Sequence, residues 1–195
     1  MGVGKYAAQE YIRTLGFKCA AFVHAGWYFE TLSRNPGFPF TASSSGEYVL
    51  QRPAWGEGKI PFIAIERDFG DFARVVFEDP ARWNGKIIKA WSWEGSYDAL
   101  IAEFQEVTGK KARLEEVTVE EWMPGVPDDT PLGDIRIMLK FIKWRGGVYF
   151  DGGNEGGGAR EILGRDGASW KEYLKGELER REKEGSKPEY DWGRL

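Results

Sequence analysis

The sequence predicts an α/β fold wound about a largely parallel sheet, carrying a small α+β lobe. Three observations support this. At the N-terminus a helical pattern, a glycine and a continuous apolar run follow one another, which is the αβ half of a βαβ unit. Short apolar strands then alternate with amphipathic helices through the middle of the chain. The last part, residues 123–195, is mostly helical in pattern, and the whole of 1–195 reads as a single domain.

Gly4 to Leu15 reads as a helix. Ala7, Ala8, Tyr11, Ile12 and Leu15 recur at helical spacing, with Lys5, Gln9, Glu10 and Arg13 between them. Gly16 closes it as a left-handed cap. Lys18 to His24 is an apolar run suited to a strand buried on both faces, as in parallel sheets. The chain is therefore expected to join a wound sheet part-way, with a strand belonging upstream. Ala25 to Leu32 reads as a loop turning into a short helix, and Asn35 to Ser45 as a surface loop rich in Pro, Gly and Ser.

Glu47–Gln51 and Lys59–Ile65 read as two strands, the second placed at an edge by Pro61. Asp68 is expected to cap a helix running to Glu78. Lys86–Ser92 is a strand. Ser96 caps a helix that Gly109 stops. Lys111–Val117 is a further strand, and Thr118-Val119-Glu120-Glu121 has the pattern of a capping box. After a turn-rich linker, Leu132–Trp144 is a helix with Ile135, Leu139 and Ile142 inward. Gly146–Gly158 is irregular, and Ser169 opens a last helix.

Composition excludes several classes of function. A formal net charge of −4, with the two signs interleaved, gives no basic field to hold nucleic acid. One Cys and one His exclude an intramolecular disulfide and a His/Cys zinc site. Cys19, inside an apolar run, is expected to be a buried thiol. No Gly-x-Ser-x-Gly elbow is present, which argues against triad hydrolysis. No apolar run reaches membrane-spanning length and no signal-peptide pattern is seen, so cytoplasm or nucleus is the expected location. Nine Trp in 195 residues suit a Trp-rich core, a cleft or an interface.

Two further constellations read as structural. Asp151 to Gly158 is glycine-rich but lacks the Gly-Lys-Ser/Thr ending of a phosphate loop and the spaced glycines of a dinucleotide fingerprint. Its acids would repel phosphate, so it reads as a flexible loop. Glu66, Asp68 and Asp71 cluster, but a helix cap and a helix dipole account for the two aspartates.

Several segments in order resemble the NmrA-like family, atypical relatives of the short-chain dehydrogenases. They are Lys5 to Gly16, with its Tyr-Ile-Arg-x-x-Gly ending; Phe22 to Leu32, with Gly26-Trp27-Tyr28; the Pro61 to Gly70 strand–helix junction; and the turns Asn84-Gly85-Lys86 and Thr108-Gly109-Lys110. Residues 1–122 carry the better part of the match. The resemblance implies the C-terminal part of an NAD(P)-binding Rossmann-type fold, with the N-terminal dinucleotide-binding half expected to be absent.

On that resemblance Lys5 reaches the nicotinamide ribose of NADP or NAD, and Gly26, Trp27 and Tyr28 lie beside the cofactor. His24, Phe38, Phe40 and Trp55 are candidate walls of a substrate cleft; a satisfied core His and a hydrophobic cover are the structural alternatives. The short-chain dehydrogenase Tyr-x-x-x-Lys pattern has Met1 in its tyrosine slot, so no catalytic residue is assigned. Three functions follow as expectations. One is a regulatory or redox-sensing protein with a protein partner and impaired cofactor binding. The second is part of an oxidoreductase acting on a small carbonyl or quinone. The third is a standalone interaction module that uses a Trp-rich exposed surface, with a homo-oligomer through an exposed sheet edge as its expected assembly.

Overall fold

The computed structural model describes residues 2–33 and 40–184. Phe38 therefore lies outside the described residues. The chain forms α1 (Gly2–Thr14), β1 (Phe22–Ala25), β2 (Trp27–Tyr28) and α2 (Glu30–Ser33). Then come β3 (Thr41–Ala42), β4 (Tyr48–Pro53) and β5 (Ile60–Ile63), a π-helical turn over Ile65–Phe69, α3 (Gly70–Glu78) and α4 (Pro80–Trp83). The remainder is β6 (Ile87–Ala90), β7 (Trp93–Gly95), α5 (Tyr97–Thr108), β8 (Ala112–Val117), α6 (Val119–Trp122), α7 (Pro131–Trp144), α8 (Gly158–Leu163) and α9 (Trp170–Glu184).

Parallel pairing dominates, as the apolar strand pattern predicts. β1 pairs with β6 and β4 with β8, both parallel. β5 is parallel to β2 and antiparallel to β7, and β3 is antiparallel to β4. β1 is shorter than Lys18–His24, because residues before Phe22 turn away to meet Pro80, Asn84 and Gly85. Cys19 is half-buried there and donates its thiol to the Pro80 carbonyl at 3.1 Å.

Side-chain alternation along β1 decides what each face meets. Phe22 and His24 face α1, where Arg13 lies over the Phe22 ring at 4.9 Å. Val23 and Ala25 face the other way, into a core formed by Ile63, Phe72, Trp83, Ile88, Ala90 and Ala159. A larger core lies under β5, α5, α7 and α9 around Phe29, Phe62, Phe104, Leu139 and Trp170. Of the tryptophans described, only Trp144 is strongly exposed, at 81%. The Trp-rich composition is therefore mostly inside, and it leaves no broad tryptophan surface for an interaction module among the described residues.

The helix ends follow the expected chemistry. The Ser96 hydroxyl accepts from the Ala99 N–H at 3.2 Å, and Gly109 ends α5 at φ +67°. Thr118 and Glu121 cap each other's backbone at the start of α6. Ser169 and Glu172 do the same before α9, at 3.1 and 3.0 Å.

Two expectations are corrected. Pro61 is not on an edge: β5 is the middle strand of β2-β5-β7. β2 begins its pairing only at Phe62, so its ladder asks no donor of Pro61. Asp68 is not a helix cap. Phe69 occupies the cap position of α3 without a side-chain bond. The fully buried Asp68 carboxylate accepts instead from the Arg165 guanidinium at 3.0 Å and the Ala168 N–H at 2.8 Å. Charge-assisted partners from the far end of the chain displace the local cap, because a buried carboxylate must be fully satisfied.

Arg165 also holds Asp71, which carries a second bond from Arg74 at 3.3 Å. The Arg165 hydrogen bond is the largest cause that pulls the Asp71 pKa below its ordinary value.

Asp68→Ala leaves the Ala168 N–H without its acceptor and weakens Arg165. The loss expected is roughly 2–3 kcal/mol, read as a lower urea midpoint. Asp71 is a depressed carboxylate, so its stabilising effect is complete above its ordinary value of 3.8 and disappears as pH falls through its folded value. The stability gap between wild type and Asp71→Asn should therefore close on acidification below that value, by urea unfolding at stepped pH.

Candidate functional site

The carboxyl ends of β1 and β2 gather most of the residues singled out from the sequence. Wound sheets bind ligands at this end of their strands. Gly26 lies at the crossing between the two strands. Its N–H donates to the Ala90 carbonyl at 2.8 Å, continuing the pairing with β6. One residue later, Trp27 pairs with Phe62 of β5. A Cβ on Gly26 would stand 2.5 Å from the Pro61 carbonyl oxygen, so this crossing admits only glycine. Gly26 is buried, and its visible role is this close approach.

Trp27 is half-buried. Its indole N–H donates to Thr31 at 3.0 Å, and its ring meets Trp55 edge-on at 6.0 Å. Trp55 is 5% exposed, donates to the Gly147 carbonyl at 3.0 Å and stacks on Tyr149. The Tyr149 hydroxyl donates to the Ala25 carbonyl at 3.3 Å, and burial pushes its pKa up to about 12. Tyr28, 42% exposed, is the open aromatic of this group. Trp55 is thus a buried member of the larger core and does not stand open as the wall of a cleft.

Phe40 does not wall a cleft. It is wholly buried and stacks on Phe104 at 4.1 Å, as part of the larger core. The loop composition around it suggested a surface; a single aromatic drawn onto α5 overrides that tendency.

On the α1 side of β1 the polar residues meet. Lys5 is exposed, and one turn later Gln9 is 9% exposed. The Gln9 Oε1 lies 3.0 Å from His24 Nε2. Burial first, and the Lys5 charge second, hold the His24 pKa below 6.5. His24 is therefore neither a core residue nor solitary. It lies at the surface of its strand with its ring partly covered, bound to Gln9 and within reach of the Lys5 charge. Sequence reasoning missed Gln9, although its place four residues after Lys5 puts both on one helical face.

The glycine-rich segment is not a free loop. The Lys89 ammonium donates to the carbonyls of Gly153 and Glu155 at 2.8 and 3.0 Å. A Cβ on Gly157 or Gly158 would strike Lys89 or the Trp91 ring. The segment thus turns carbonyls towards a cation, opposite in polarity to the N–H groups that cradle phosphate. A separate cleft of about 290 Å³ opens between the π-helical turn and α9, where Glu30, Glu66, Glu172 and Glu177 stand among Arg67 and Arg180. Its acid-rich wall does not suit a phosphate either.

Parallel strand pairs, a crossover at a glycine and polar groups collected at the carboxyl ends define an α/β protein of the wound-sheet kind that includes the dinucleotide-binding reductases. The chain belongs to the NmrA-like family, whose profile it matches over residues 4–148.

The NmrA-like family domain-containing oxidoreductase FrzB of Cladobotryum sp. is 34% identical over 161 residues, 75% of this chain and 47% of that protein. The chain thus spans about half the length of the curated relatives it matches. The crystal structure of the negative transcriptional regulator NmrA in complex with NADP superposes with a TM-score of 0.72 at 22% identity, covering 96% of this chain and 60% of NmrA. The NADPH-bound quinone oxidoreductase QOR2 of Escherichia coli gives a TM-score of 0.61 at 20% identity, covering 89% and 58%. These likenesses bear out a mixed α/β fold like that of NmrA and the NAD(P)-binding reductases.

Gly26→Ala forces β1 away from Pro61, backbone against backbone. The expected cost is about 1–3 kcal/mol, measured as a lower denaturation midpoint together with altered Trp27 fluorescence.

Proposed function

We propose that this chain is the substrate-side part of an NmrA-like NAD(P)-dependent oxidoreductase acting on a small carbonyl or quinone. The carrying observation is Lys5, exposed on α1 within the family match over residues 4–148, its charge felt by His24 of β1; relatives of the chain are described as oxidoreductases. A reduced nicotinamide, when bound, supplies hydride. The described residues fit one end of such a cofactor: an ammonium and an imidazole on one ledge suit its ribose, while no cradle of N–H groups suits its phosphates. Lys5 would bind and orient the ribose. Tyr28 would stand beside the ring, with Trp27, Trp55 and Tyr149 giving a dry backing that keeps the polar ledge in place.

A second reading is a cofactor-responsive regulator. It is favoured by the absence of a tyrosine four residues before Lys5, and by the fold shared with a transcriptional regulator that binds NADP. In that case the same ledge would sense the cofactor without passing a proton, and a protein partner would read the result.

Titration of the 195-residue chain with NADPH, followed by tryptophan fluorescence, tests the cofactor-linked function. Saturable binding in the millimolar range, weakened by Lys5→Ala, is expected. Micromolar affinity would overturn the view that the phosphate contacts lie outside the described residues. A folded chain that gives no response at millimolar NADPH would overturn the cofactor role itself.

A further inference from the structure

We propose that the outward face of α7 is a self-association surface, through which two copies of this chain pair with their α7 helices antiparallel. The proposal is independent of the cofactor-linked reading above.

α7 carries apolar residues on opposite sides. Its inner side, with Ile135, Leu139 and Ile142, joins the larger core. A helix whose core face is satisfied in this way ordinarily turns polar residues to solvent. Instead Ile137 is 48% exposed, Phe141 50% and Trp144 81%. They recur at steps of four and three, which sets them in one line along the helix. The Phe141 and Trp144 rings lie 5.8 Å apart. Single exposed apolar residues are ordinary, but a contiguous line marks a contact surface.

The charges beside the line select the occupant. Asp134 lies three residues before Ile137, and Arg145 directly follows Trp144. At about 100° per residue both fall on the same flank, and the Arg145 guanidinium lies 5.5 Å from the centre of the Phe141 ring. On the other flank Lys140 is paired with Glu120 of α6. An acid at the start of a flank and a base at its end complement the same flank reversed. In an antiparallel pair Asp134 meets Arg145 of the second copy, twice about the twofold axis. The same register, centred near Lys140, sets Ile137 against Trp144 of the second copy. A parallel pair would oppose Asp134 to Asp134 and Arg145 to Arg145. Near the axis the two Lys140 ammoniums meet, offset by the two Glu120 carboxylates. Arg145 reaches Asp151 of its own chain only at 3.5 Å, against a fully exposed carboxylate, so that contact is readily exchanged.

The size of the patch sets the strength. A fully buried aromatic side chain contributes roughly 150–250 Å², so the four partly exposed rings of a pair, with the isoleucines, supply on the order of 1,000 Å². Stable specific interfaces begin near about 1,200 Å². The dimer is therefore weak and concentration-dependent, with an expected Kd of about 10–100 µM.

Sedimentation equilibrium of the 195-residue chain from about 5 to 500 µM is expected to show a reversible monomer–dimer equilibrium. Trp144→Lys, at an exposed position, should weaken it by about tenfold or more and leave the urea midpoint unchanged. Asp134→Arg and Arg145→Asp should each weaken self-association when alone, because like charges then face each other. An equimolar mixture of the two should dimerise like wild type, since both pairs are restored. A merely structural effect of either substitution would not be rescued by mixing.

A wild-type chain that stays monomeric over this range overturns the proposal; binding of that monomer to phosphatidylserine vesicles, lost in Trp144→Lys, would then assign the patch to a lipid surface. A dimer that survives Trp144→Lys at full strength also overturns it and leaves the edge of β1 not paired to β6 as the contact. Two folded charge variants that fail to dimerise when mixed overturn the antiparallel pairing. If either charge variant does not fold, Trp144→Lys decides.

Discussion

The close contact between Gly26 and the Pro61 carbonyl is the constraint on which the site depends. The strand leaves β6 at Ala25 and joins β5 at Trp27, and the change of partner occurs within one residue. No side chain fits in that crossing. Because the switch is so short, the polar residues of β1 and the aromatic residues of β2 end at one level. His24 faces α1, whereas Trp27 turns to Trp55 and Tyr149. The Tyr149 hydroxyl then bonds the Ala25 carbonyl and ties the aromatic backing to the strand that bears His24.

The second core is closed by segments distant in sequence. Asp68 and Asp71 reach Arg165, and Lys89 reaches the glycine-rich segment; these bonds hold α8 over β6 and α3. Neither contact is a cheap surface ion pair. Asp68 is wholly buried, and a buried carboxylate stripped of a partner costs several kcal/mol. Glycines at 157 and 158 let the backbone lie against Lys89 and Trp91, which lets α8 start there. The two anchors thus convert a chain of short helices into a lid over Ile88 and Ala90.

What could be read from the sequence was local. Ser96, Gly109 and Thr118 fix helix ends through bonds three or four residues away, and each is in its expected role. The strand–helix junction, the turn at Asn84-Gly85 and the parallel pairing follow from patterns just as short. What failed depends on partners far along the chain. Asp68 has every feature of a cap, yet its acceptors' demands are met by Arg165, 97 residues on. Phe40 sits in a loop-like stretch, yet Phe104 draws it inside. In the site, Lys5, His24 and Trp27 stood out by type. Gln9 did not, since a glutamine on a charged helix is ordinarily solvated, and only its burial shows otherwise.

The charges around the ledge also bear on the chemistry it can support. A general acid at neutral pH needs a proton to give, and a histidine held below its ordinary pKa by burial and a neighbouring ammonium has few to give. A depressed pKa instead keeps a lone pair available. Lys5, exposed on α1, carries only donors. One group is thereby fixed as acceptor and the other as donor. That division favours holding a hydroxyl-bearing ligand over shuttling protons to it. It accommodates both an oxidoreductase whose proton comes from another residue or from water and a regulator in which no proton moves.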